Sequence, residues 1–166
     1  KTLENPVNTS FPCFMSGNTE YVADKIAKQI GADLIRIEPE KAYPDSGAKK
    51  FIWGGKSAVM GDTPKLKPYE FKADEYEQII FGFPVWAGTF TPPIRTFIQE
   101  NKDAIKDKKI AAFTCLAGSG GEKALEKLKK FIGVSAFEAE LILIDPKEKQ
   151  STENDKKIED FCGGLA

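Results

Sequence analysis

Three short stretches carry the residue types that could do chemistry. The first is Ser16, Gly17, Asn18 and Thr19, small and backbone-exposing, set directly before a strongly patterned helix in FMSGNTEYVADKIAKQIG, 14–31. A helix start presents unpaired N–H groups and about half a positive charge, and glycine lets the backbone come close, so such a loop can wrap an anion such as a phosphate. The plain alternative is that Ser16 and Asn18 merely cap a helix that would form anyway. The second stretch, FPVWAGTFTPP from Phe83 to Pro93, sets Trp86 beside Ala87 and Gly88. A large aromatic there either plugs the core or stacks on a flat ligand, and its small, turn-forming neighbours leave room for a planar ring. The third, CLAGSGG from Cys115 to Gly121, is a turn with a helix cap, or a loop whose N–H groups face the polar edge of a ring.

What is missing narrows the chemistry further. The chain has no histidine, which closes off charge-relay triads, imidazole acid–base catalysis and histidine metal sites. A hard reaction would then draw its reactive atoms from a cofactor. Three cysteines, Cys13, Cys115 and Cys162, are odd in number and too far apart for a thiolate metal motif, as expected of a reducing compartment. With 24 Lys and Arg against 25 Asp and Glu, the chain has no electrostatic footprint for nucleic acid or an anionic membrane. It has neither an apolar run of about 20 residues nor the apolar core of a signal peptide. The expectation is a cytoplasmic protein of one domain over residues 1–166, with no metal and no catalytic side chain of its own.

The elements around these stretches follow from periodicity. Val22, Ile26 and Ile30, with Ala23 and Ala27 beside them, paint one apolar stripe on a helix that ends at Gly31. DLIRIEP, Asp33 to Pro39, reads as a short strand, and QIIFGFPVW, Gln78 to Trp86, as a strand buried on both faces. A helix follows at TPPIRTFIQEN, with Pro92 and Pro93 in its first turn, where a missing N–H costs nothing. KKIAAFTC, Lys108 to Cys115, is another buried strand. Its following helix is predicted to begin with a capping box of Ser119 and Glu122 and to end at Gly133. Ala136 to Asp145 reads as a strand near a sheet edge, and Ser151 to Leu165 as the last helix. Strand and helix in alternation mean a parallel sheet covered on both faces. The long connection from Glu40 to Glu77 holds Gly54 and Gly55, predicted as a two-residue hairpin turn.

A phosphate-type loop, a loop with an aromatic and a glycine-rich loop at one sheet end together resemble the flavodoxin family, its clostridial-type bacterial members in particular, over nearly the whole chain. Ser16, Gly17, Asn18 and Thr19 match the family's phosphate motif. The resemblance implies a flavodoxin-like three-layer α/β sandwich whose five parallel strands run in the order 2-1-3-4-5, with FMN at the switch point between strands 1 and 3. It implies that Ser16 to Thr19 bind the phosphate. Pro84, Val85, Trp86, Ala87, Gly88 and Thr89, with Cys115, Leu116, Ala117, Gly118, Ser119 and Gly120, would hold the isoalloxazine. It also implies that the Ala87–Gly88 peptide turns over when the flavin is reduced. Two features depart from the pattern. Phe14 stands where the family has Ser or Thr, and the polar stretch ENPVNTS followed by Phe11 and Pro12 makes a poor central strand.

The function implied is an FMN-binding electron carrier, a monomer whose partners are redox proteins, with no nucleic acid and no membrane. Two alternatives stand beside it. One is a flavin-dependent NAD(P)H:quinone or FMN reductase of the same fold, and the other is a degenerate domain without cofactor. A receiver domain is excluded on chemistry, because the strand end that would need an acidic phosphoacceptor reads Pro84, Val85, Trp86.

Overall fold

The computed structural model describes residues 9–13, 17–43 and 54–165, with Ser10–Cys13 described by backbone alone. The elements are β1 (Thr9–Cys13), α1 (Gly17–Ile30), β2 (Asp33–Arg36), the helical residues 54–59 (α2), a 3-10 turn (Ala73–Glu75), β3 (Gln78–Pro84), α3 (Pro92–Glu100), α4 (Lys102–Ile105), β4 (Lys109–Leu116), α5 (Gly121–Ile132), β5 (Glu140–Ile144) and α6 (Thr152–Gly163). Phe14 and Ser16 lie outside the described residues. No described helix is long and apolar enough to cross a membrane.

The strands pair in parallel in the order β2-β1-β3-β4-β5. Alternate side chains feed two cores. Ile79, Phe81 and Phe83 of β3 and Ile110 and Ala112 of β4 face Ile94 and Phe97 of α3 and Leu125 and Leu128 of α5. Ile80, Ala111, Phe113 and Cys115 face Val22 and Ile26 of α1 and Ile158 and Phe161 of α6. This two-sided burial explains why β3 and β4 are continuous apolar runs. Phe81, Phe83, Phe97 and Phe113 are fully buried, each contributing roughly 1.5–3 kcal/mol over an exposed position.

β1 is a full central strand despite its sequence. It takes only Thr9 and Ser10 from the polar stretch, and Pro12 sits in register with Ile35 of β2. On its other side Thr9, Ser10 and Cys13 pair with Gln78, Ile79 and Gly82 of β3. Successive residues of a parallel strand bond to opposite neighbours, so one missing N–H removes one bond and leaves the rest of both ladders intact. The chain reverses its building direction at β1, which has β2 on one side and β3 on the other. The crevice at the carboxyl ends of β1 and β3 is where ligands of such sheets bind.

The hairpin expected at Gly54 and Gly55 is not formed, since residues 54–59 are helical. Gly54 is small for a packing reason. A Cβ there would lie 3.1 Å from both Cε3 and Cζ3 of Trp86. The capping box at Ser119 is also absent. Gly120 is the N-cap of α5, with φ +100, and no side chain caps the helix. A left-handed cap suits glycine at no steric cost, and it leaves Ser119 exposed.

The described ends of the connection between β2 and β3, residues 37–43 and 54–77, are tied by hydrogen bonds to one another and to the helices beside them. Glu40 N donates to Lys65 O and Lys67 N to Glu38 O, both at 2.8 Å. Thr96 Oγ1 donates to Pro64 O at 2.8 Å, and Lys108 Nζ to Tyr76 O at 2.7 Å. Leu66 joins the core on that side.

Candidate functional site

At the carboxyl ends of the strands the ladder continues into the loops. Thr114 Oγ1, fully buried, donates to Phe83 O at 2.7 Å. Val85 N donates to Cys115 O at 3.0 Å, and Asp145 N to Leu116 O at 2.9 Å. These bonds hold the loops that follow β3, β4 and β5 at one level. Gly121 then seats the start of α5 against β5, since a Cβ there would fall 2.8 Å from Ile142 Cγ2.

The loop after β3 is a tight hairpin. Trp86 and Thr89 exchange both backbone hydrogen bonds at 3.0 Å, and the two residues between them, Ala87 and Gly88, have φ of +49 and +71. Positive φ at both central positions defines a type I′ turn. Gly120 comes up beneath it, where a Cβ would lie 3.4 Å from Gly88 Cα and 3.7 Å from Val85 Cγ1. Two of the three predicted loops therefore meet along a glycine-to-glycine seam. The expected turnover of the Ala87–Gly88 peptide finds no support in this geometry. Half a turn of that peptide converts type I′ into type II′, which calls for glycine at the first central position, and alanine stands there.

Trp86 is half-buried. Gly54 covers part of its benzo ring, and Tyr43 meets it edge-on with centroids 5.0 Å apart at 86°. The sequence posed core and stacking as alternatives, but the ring packs on Tyr43 and Gly54 and still keeps open surface beside the hairpin. Thr89 is buried, whereas Ala87, Ala117, Gly118 and Ser119 are exposed and Pro84, Val85 and Gly88 lie between.

The third loop enters through α1. Gly17 opens the helix with φ +38. Asn18 Oδ1 accepts a hydrogen bond from Lys147 N at 3.0 Å, tying the helix start to the loop after β5. Thr19 lies on the same inner stripe as Val22, Ala23 and Ile26, and it is fully buried. Its Oγ1 has no hydrogen-bond partner among the described residues, and such a group carries a desolvation cost until something binds it. Cys115, at the end of β4, is buried as well, and burial pushes its thiol up to about 12. Tyr43 is also raised by burial. Neither is a base near neutral pH, so this end of the sheet suits holding a ligand better than moving protons.

Tyr43, Gly54 and Lys147 escaped sequence reasoning. Lys147 contributes a backbone N–H, which leaves no side-chain signal. Tyr43 and Gly54 lie in a connection without periodicity and reach Trp86 only through the tertiary fold. A cleft of about 610 Å³ opens beside Tyr43 and is lined by Lys41, Ser57, Asp62, Thr63 and Pro64, not by the glycine loops.

A five-stranded parallel sheet in the order β2-β1-β3-β4-β5, with the hairpin after β3 and the glycine loop after β4 meeting at its carboxyl edge, is a domain of the doubly wound α/β class. The family model described as Flavodoxin matches residues 10–156, and the chain belongs to the flavodoxin family. Among solved structures it is similar to a flavoprotein from Lactobacillus acidophilus in complex with FMN, at 22% identity and a TM-score of 0.69, with 85% of this chain and 95% of that chain covered. It is also similar to a candidate flavoprotein from Bacteroides eggerthii at 21% identity and a TM-score of 0.72, covering 95% and 97%. A flavodoxin from Streptococcus pneumoniae follows at 15% identity and a TM-score of 0.51, covering 95% and 96%. No curated protein matches this sequence.

Proposed function

We propose that the chain acts as a single-domain, monomeric electron carrier that holds FMN without a covalent bond and exchanges electrons with protein partners in the cytoplasm. The observation that carries this reading is Thr19, whose fully buried hydroxyl has no hydrogen-bond partner among the described residues at the N-terminus of α1. A phosphate there receives that hydroxyl together with the helix N–H groups. Glycine at 120 lets the loop after β4 lie against the hairpin, where a Cβ would meet the Gly88 Cα at 3.4 Å, so the backbone of both loops is available to the polar edge of a flat ring. Family membership and the FMN complex of the Lactobacillus acidophilus flavoprotein support the same cofactor.

When bound, FMN supplies the ring that takes up and releases electrons. The protein's own residues bind and orient. Ser16 to Thr19 hold the phosphate, Trp86 covers part of the ring, and the backbone of Gly88 and Gly118 to Gly120 lines its polar edge. Exposure of Ala87, Gly118 and Ser119 leaves the hairpin and the glycine loop open to a partner surface. The absence of histidine, and thiol and phenol groups held protonated, favour a carrier over a proton-transferring enzyme.

One observation favours a reductase as the second reading. The cleft beside Tyr43 adjoins Trp86 through the aromatic contact and offers room for a small acceptor. Steady-state oxidation of NAD(P)H with a quinone by the FMN-loaded protein separates the two. The carrier reading expects no turnover above free FMN, while electrons pass readily to and from a second redox protein. Saturable quinone reduction overturns it in favour of the reductase.

A further inference from the structure

The chain has two arginines, and they are placed differently. Arg36 bonds the Glu20 carboxylate. Arg95 of α3 is half-buried and makes no ion pair or side-chain hydrogen bond among the described residues. Its guanidinium carbon lies 4.7 Å from the Phe90 ring centroid and 4.5 Å from that of Phe131. The rings hold the group but leave its five N–H donors without an oxygen. Burial alone moves its pKa, downward, with no carboxylate acting against it. The turn after α2 comes up to the same group, since a Cβ at Gly61 would lie 3.8 Å from the guanidinium carbon. Just before that glycine, Val59 and Met60 are each 68% exposed, more than any other large apolar residue described. The opposite end of α2 adjoins the hairpin, where a Cβ at Gly55 would lie 3.7 Å from Ala87 Cβ. Lys123 of α5, exposed and without an ion pair among the described residues, also runs beside the hairpin, its Cδ 3.6 Å from where a Cβ at Gly88 would stand.

We propose that Arg95, Val59 and Met60 anchor a docking surface for an acidic redox protein, which seats a surface carboxylate on the guanidinium and an apolar side chain on Val59 and Met60. This inference rests on the carrier reading above and names the chemistry of the partner. A guanidinium offers a carboxylate two parallel N–H bonds, and the two phenyl rings already hold this one, so little side-chain freedom is lost on binding. Arginine and methionine are enriched in protein interfaces, and adjoining apolar side chains left in water mark such a contact. Asp62, the acidic residue next to Gly61, makes no ion pair with Arg95 and leaves its charge to a partner. The surface is also continuous with the hairpin. From Gly54 to Met60 the chain advances about 9 Å along a helix axis, so a partner covering about 800 Å² reaches both Arg95 and the exposed Ala87.

The test is stopped-flow electron exchange of the FMN-loaded protein with two probes of opposite charge. A reduced plant-type ferredoxin, which is acidic, gives an electron to the bound FMN, and the reduced FMN protein gives one to a mitochondrial cytochrome c, which is basic. At low ionic strength Arg95→Gln should slow the ferredoxin reaction by about 3- to 10-fold and leave the cytochrome reaction unchanged or faster, and salt should erase the difference. Met60→Ser, at an exposed position, should slow the ferredoxin reaction by about 2- to 5-fold with an unaltered melting temperature. Unchanged ferredoxin rates in both variants, or equal slowing of the two probes, overturn the inference while the carrier reading stands. If the wild type exchanges electrons with neither probe, the carrier reading falls and the inference with it. A second measurement needs no variant: the Arg95 Nε–H resonance of the wild type. It should shift on adding the ferredoxin and stay in place on adding the cytochrome. A resonance that ignores the ferredoxin contradicts the inference.

Discussion

Gly120 lies against Gly88, with the site of its absent Cβ 3.4 Å from the Gly88 Cα. This contact joins the loop after β4 to the hairpin after β3, and both glycines hold positive φ, +100 and +71.

Gly120→Ala tests that seam. An alanine in the left-handed region costs roughly 1–2 kcal/mol, which lowers the melting temperature by roughly 2 to 8 °C in a chain of this size. The new methyl also presses on the Gly88 Cα, so it shifts the hairpin against the loop after β4, and FMN affinity should fall alongside. A variant that melts like the wild type and binds FMN equally well shows the seam to be dispensable.

Thr19→Val separates a ligand-binding hydroxyl from a mere helix residue. The substitution keeps the shape and removes a buried oxygen with no hydrogen-bond partner among the described residues, so the ligand-free protein should gain about 1 kcal/mol. FMN binding should move the other way, losing about 10- to 100-fold as a hydrogen bond to a charged group disappears. Thermal melts and FMN titrations of the one variant read both signs. A loss of stability with unchanged affinity assigns the hydroxyl to the fold alone.

Trp86→Ala should affect two properties together. The ring packs on Gly54 and Tyr43, so its loss loosens that packing and lowers the melting temperature of the ligand-free protein. If the open part of the ring stacks on flavin as aromatic side chains stack on nucleobases, FMN binding also weakens by about 1–3 kcal/mol. A change in stability with no change in affinity confines Trp86 to packing.

Much of this arrangement was legible in the sequence. The stripe of Val22, Ala23 and Ile26 and the apolar runs of β3 and β4 are signals that a single element carries by itself. β1 was not legible, because its place between β2 and β3 is set by partners distant in sequence, which outweigh Pro12 and the polar Thr9–Ser10 start. Glycine had two meanings that local pattern does not distinguish. Gly54 makes room for Trp86, and Gly120 caps a helix where a serine one residue earlier seemed the better candidate. Gly17 to Thr19, Trp86 and Gly88 stand out in the sequence as candidates by residue type and spacing, while the Tyr43 contact and the Lys147 N–H exist only once the chain is folded.

Stability should decline in alkali. Burial raises Cys115 to about 12 and Cys162 to about 11, both above the range of about 8.5 for a thiol in an unfolded chain. The unfolded chain therefore loses these protons first. The contribution of each thiol is intact below about pH 8.5 and is lost as pH rises toward its folded value, at most about 1.4 kcal/mol per pH unit for Cys115. Urea unfolding between about pH 8.5 and 10.5 measures the slope, and Cys115→Ala should make it shallower. An identical slope in the variant shows that the thiol does not couple to folding there.

The most direct test of the FMN assignment is a calorimetric titration of the ligand-free protein with FMN and, separately, with riboflavin. One FMN per chain, bound at least about 10-fold more tightly than riboflavin, is the predicted result, because only FMN brings the phosphate that Thr19 and the α1 N-terminus would receive. Equal affinities, or no binding of FMN, would contradict the account.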